Sequence, residues 1–145
     1  MKTILRNSLA VVFGLVLGSV ANMALVVAGP HVIPPPDGVN MGDVKSLAAG
    51  VHLLTPQDFL FPFLAHAAGA FMGALVAHLA AATHRATCAY VIGALFLAGG
   101  IAAATMIPAP GWFIALDLMV AYLPMAWLGI FIGRRLRPES PGTST

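Results

Sequence analysis

Four long apolar stretches, residues 9–28, 59–83, 87–107 and 112–133, constrain this chain more than any other feature. Each runs to about 20 residues or more, the length that carries a helix across about 30 Å of hydrocarbon. Only 8% of the chain is Asp, Glu, Lys or Arg, against about 25% in an ordinary soluble domain. So few charges cannot cover a soluble surface, and lipid must cover most of it. The expected fold is all-α: a polytopic four-helix transmembrane bundle forming one domain over residues 1–137. Its helices are expected at about 6–28, 56–83, 87–107 and 111–134, with an outer loop at 29–55. Residues 138–145, rich in Pro, Ser, Thr and Gly, read as a disordered cytoplasmic tail.

Orientation follows from the basic residues. Lys2, Arg6, Arg85, Arg134, Arg135 and Arg137 fall on one side of such a bundle, and Lys45 on the other. That asymmetry predicts both termini in the cytoplasm. Trp112, Phe113, Phe59, Phe61 and Phe63 gather at the opposite boundary, where aromatic side chains favour the interface. The first span also fits a secretory signal peptide, with Lys2 and Arg6 ahead of an apolar run and Ser19-Val20-Ala21 as a small-x-small cleavage site. Against cleavage, the apolar run continues through Val27.

In the loop, Pro34-Pro35-Pro36-Asp37-Gly38 predicts a stiff segment and a turn. After it Val44, Leu47, Ala48, Val51 and Leu54 recur at helical spacing behind Asp43 as N-cap. They predict a short amphipathic helix in the outer loop, lying on the membrane surface or packed on the bundle. Thr55-Pro56-Gln57-Asp58 predicts the start of the second span: a capping hydroxyl, a proline at the first helical position and an acid at the third. Pro62 and Pro124 predict bends in the second and fourth spans.

Helices in lipid approach closely only through small side chains. Ala65, Gly69, Gly73 and Ala77 form a ridge on the second span, and Gly14 and Gly18 form one on the first. These two spans are expected to cross along them, or else to offer a ridge to a partner protein.

Against that background Asp117 stands out, because a carboxyl group inside a spanning helix costs a few kcal/mol unless it is partnered or wet. At 1.5 Å per residue from the outer boundary, Asp117 lies about 8 Å deep, His66 about 10 Å and Asn22 about 9 Å. Tyr122 sits about one turn below Asp117. His66, Asp117, Asn22 and Tyr122 therefore make a candidate polar cluster. It acts either as a clasp that fixes helix rotation or as a site that binds a cation or relays protons. His78 is too far from His66 to share a metal or a haem with it, and is expected to reach the cytoplasmic interface. His31 and His52 are the remaining candidates to join His66 and Asp117 around a metal, but no metal-ligand spacing supports them, so no metal and no cofactor is expected.

No P-loop, nucleophile elbow or Rossmann glycine pattern is present, and no enzymatic activity is expected. Seven Lys and Arg, placed at ends and turns, do not make a nucleic-acid surface. The expected partners are the lipid bilayer and a larger membrane complex or a second copy of the chain. The leading expectation is an accessory or scaffold subunit. The alternative is a small transporter or an ion- or proton-handling protein using His66 and Asp117.

The stretches FPFLAHAAGAFMGALVAHLAA and MIPAPGWFIALDLMVAYLPMAWLG are similar to those of small four-helix inner-membrane proteins of bacteria that lack an assigned activity. The resemblance implies the same topology and a bacterial inner-membrane location. It brings no catalytic residues with it.

Overall fold

A computed structural model describes residues 1–138, so the expected disordered tail lies, from residue 139 on, outside the described residues. Those residues form α1 (Lys2–Val32), α2 (Val44–Gly50), α3 (Leu60–Ala80), α4 (Arg85–Met106), α5 (Gly111–Val120) and α6 (Leu123–Leu136). Short 3-10 turns at Val51–Leu53 and Pro56–Phe59 lead into α3. There are no strands among the described residues. Four helical segments are long and apolar enough to cross a membrane: Lys2–Val32, Pro56–Ala80, Arg85–Met106 and Gly111–Leu136.

The boundaries differ from the expected ones in ways with physical causes. The first helix runs for 31 residues rather than from about 6 to 28, because Pro30 near its end removes one donor without stopping the last turn. The second span closes at Ala80, three residues short of the expected 83, and a turn follows. His84 in that turn takes φ 49°, a left-handed conformation that is costly for a side chain other than glycine. The fourth span is two helices rather than one. It breaks at Ala121–Tyr122, just ahead of Pro124, whose missing N–H leaves the Val120 carbonyl without its helical donor.

α3 is the centre of the bundle, touching α1, α4 and α6. The core is built largely of alanine and glycine. Ala67, Ala70, Ala74, Ala77 and Ala81 are all buried. On α1, a Cβ added at Gly14 would stand 2.6 Å from the Gly73 carbonyl oxygen, and one at Gly18 would stand 2.6 Å from that of Gly69. The two helices therefore meet backbone to backbone, along the ridges that include Ala65 and Ala77, both fully buried. α4 meets α6 with Gly93 against the Ala126 methyl group.

At the end holding Met1 and Arg137, polar groups tie up the last carbonyls of α3. Arg6 donates to Ala80, and Arg137 donates to Leu79 at 2.6 Å. Asn7 Oδ1 accepts from Ala82 N at 2.9 Å. Three basic groups converge here, and desolvation, then Arg85, then Arg6 push the Arg137 guanidinium below its ordinary value. His78 is not at an interface: it is fully buried, packed against Gly133. The 21-residue α3 ends only two residues beyond it, but α6 and the Arg137 side chain cover that last turn.

At the opposite end lies α2, packed on the 3-10 turn Val51–Leu53, with Leu47 on the wall of a cavity. Asp43 caps it by accepting from Lys45 N at 3.0 Å. Gly50 is buried against Val39, while Leu47 and Leu54 face a cavity between the helices.

Candidate functional site

The break in the fourth span builds the site. Asp117 lies in the last full turn of α5, and Tyr122 falls in the gap before α6, at φ −114° and ψ −82°. That irregular backbone turns the phenol back toward the preceding helix. Tyr122 Oη donates to Asp117 Oδ2 at 2.7 Å. From α3, His66 Nδ1 stands 2.9 Å from each Asp117 oxygen and 3.0 Å from Tyr122 Oη. The imidazole and phenol rings stack, with centroids 5.7 Å apart. Asp117 is 5% exposed and Tyr122 1%, whereas the His66 side chain is 25% exposed.

Gly100 on α4 makes room for this arrangement. A Cβ there would overlap the Tyr122 hydroxyl and stand 2.5 Å from Cζ. Only glycine lets the phenol lie flat across α4.

The chemistry follows from the donor inventory. An ionised carboxylate only accepts, so His66 Nδ1 must carry its hydrogen toward Asp117, and the neutral ring keeps its lone pair on Nε2. Nε2 has no hydrogen-bond partner among the described residues. His66 lines two cavities. The first, of about 210 Å³, sits beneath α2 and is walled mainly by aliphatic and aromatic side chains, with Asp58, His66 and Asp117 as its ionisable groups. The second, of about 360 Å³, runs between α1 and α4 past Ser19, Asn22 and Tyr122. His66 and Gly100 belong to both, so the triad stands where the two spaces meet.

Three of the four polar residues singled out in the sequence are thus hydrogen-bonded to one another, and one is not. Asn22 makes no side-chain hydrogen bond among the described residues and lines the second cavity instead. Its Cβ packs toward Gly69 on α3. Thr105, at a similar level, returns its hydroxyl to the Ala102 carbonyl. His31 and His52 do not join His66. Among the described residues no group of three or more His, Cys, Asp and Glu side chains gathers closely enough to hold a metal ion.

Two positions escaped sequence reasoning. Gly100 is one of three glycines in the apolar stretch 87–107, and nothing in the sequence marks it out from Gly93 and Gly99. Asp58 read only as a cap, and it does cap: Thr55 N and Thr55 Oγ1 both donate to its Oδ2, at 2.7 and 2.8 Å. It is also 7% exposed and lines the first cavity. The signal that could have found it was an acid flanked by Phe59 and Leu60 at the mouth of an apolar helix.

No family model matches this chain, and neither a curated protein nor a solved structure matches it.

Proposed function

We propose that this chain is a small multi-pass protein of the bacterial inner membrane that handles protons or ions through His66, Asp117 and Tyr122. In this reading both termini are cytoplasmic and α2 roofs the cavity on the outer side. The excess of basic side chains at the terminal end, with Arg6, Arg85 and Arg137 all tied into it, supports that orientation. The observation that carries the function is the buried Asp117, held by two donors, one of them a histidine that lines a cavity and whose Nε2 has no hydrogen-bond partner among the described residues. A carboxylate that fixes the histidine tautomer leaves the lone pair on Nε2, so a proton that reaches His66 binds there and leaves from there. No covalent catalysis is assigned to the triad.

The rival reading, an accessory or scaffold subunit, drew on the small-residue ridges. Gly14, Gly18, Gly69 and Gly73 pack within the chain, so those ridges no longer call for a partner.

The test is proton entry into liposomes carrying the purified protein, driven by an inside-negative potassium diffusion potential and read by an entrapped pH dye. The wild type is expected to admit protons several-fold faster than Asp117→Asn, which keeps hydrogen bonding but not the charge. Equal rates for the wild type, the variant and protein-free vesicles would refute the reading.

A further inference from the structure

The first cavity also carries information about what it would hold, if it is the working site proposed above. We infer that its ligand is an organic cation with an apolar body: a small amine or quaternary ammonium compound. Two carboxylates line the space, Asp58 and Asp117, and no Lys or Arg does. With His66 neutral the lining carries two formal negative charges. An anion is repelled there. A neutral apolar molecule satisfies neither carboxylate.

Asp58 is the half of the site that the triad leaves unused. Its Oδ2 takes both Thr55 hydrogen bonds, and its Oδ1 accepts none from the described residues, although the residue is more than nine-tenths buried. A carboxylate oxygen without a protein donor, on a residue that lines an apolar cavity, is stabilised by a positive charge placed beside it. Phe59 and Phe113, whose ring centroids are 4.7 Å apart, line the same space. Aromatic rings attract ammonium groups through their π-faces.

An inorganic cation fits less well. Hard ions want about six or more oxygen ligands, and three of the four carboxylate oxygens here are already hydrogen-bonded. The remaining wall includes Ile33, Leu47, Leu54 and Ile114, which solvate hydrocarbon and not a metal. The volume, about 210 Å³, suits a ligand of one ring and a small head group.

Benzyltrimethylammonium and neopentylbenzene have the same shape and differ in one positively charged nitrogen. Each is titrated calorimetrically into the full-length protein in phosphatidylcholine nanodiscs, with empty nanodiscs as the blank. The cation is expected to bind at least tenfold more tightly than its neutral counterpart. Asp58→Asn is expected to remove most of that preference, while its amide oxygen retains the cap to Thr55. Equal binding of the two compounds, no binding of the cation, or an undiminished preference in both Asp58→Asn and Asp117→Asn would each overturn the inference. The readout is ligand binding and not proton entry, so failure here is told apart from failure of the proton-handling reading.

Discussion

Gly100→Ala changes one hydrogen to a methyl group and leaves every titratable side chain in place, yet it should disable the triad. The new Cβ would lie 2.5 Å from Tyr122 Cζ and 2.9 Å from Cε2. Ordinary carbon contacts need about 3.5 Å, so the ring must retreat by about 1 Å. Tyr122 is 1% exposed, so the retreat must displace its neighbours or push the ring into the second cavity, out of line with Asp117. Its hydroxyl donates to Asp117 at 2.7 Å, and a retreat of that size stretches the bond to about 3.7 Å, beyond a useful hydrogen bond. Overpacking costs about 1–3 kcal/mol, and a lost hydrogen bond inside a membrane bundle adds about 0.6 kcal/mol on average. The expected destabilisation is therefore about 2–4 kcal/mol. Neighbouring Gly99 provides the control, since a Cβ there meets nothing within 4 Å. Both variants are unfolded from mixed micelles by a rising mole fraction of denaturing detergent. Gly99→Ala should match the wild type, and Gly100→Ala should unfold earlier and lose proton entry. If Gly100→Ala proved as stable and as active as Gly99→Ala, the placement of Tyr122 would be wrong.

Gly14→Ala should part α1 from α3, because its Cβ would meet the Gly73 carbonyl oxygen, a backbone atom that cannot rotate away; about 1–3 kcal/mol of lost stability in the same detergent titration is expected. His84→Gly should act in the opposite direction. It relieves the left-handed strain at φ 49° and stabilises by about 1 kcal/mol, read as a later unfolding midpoint.

Much of the fold is legible in the sequence because lipid imposes simple rules. Length and apolarity mark four spans, and the four-residue spacing of glycine and alanine marks the face on which α1 and α3 meet. Depth along a helix is also legible, since each residue rises by a fixed amount. That puts His66, Asp117 and Asn22 at one level. Rotation about the axis is not legible at that precision. It is set by which small residues seat against which backbone: Asn22 Cβ seats against Gly69, and Asn22 lines the second cavity without joining the triad. The break at Tyr122 was only half visible. Pro124 announces a bend, but the proline alone does not say that Tyr122 will leave the helix and reach back five residues to Asp117. The burial of His78 was hidden for a different reason. It depends on α6 and Arg137 returning over the end of α3, a contact between residues more than fifty positions apart.

The most direct test of the triad is the protonation pattern of the His66 ring, read from its nitrogen-15 shifts in labelled protein held in nanodiscs. With the imidazole neutral, Nδ1 should carry the hydrogen and Nε2 should be bare, because Asp117 accepts from Nδ1 at 2.9 Å. Asp117→Ala should abolish that preference. Finding the hydrogen on Nε2 in the wild type, or a tautomer unchanged in Asp117→Ala, would contradict the account.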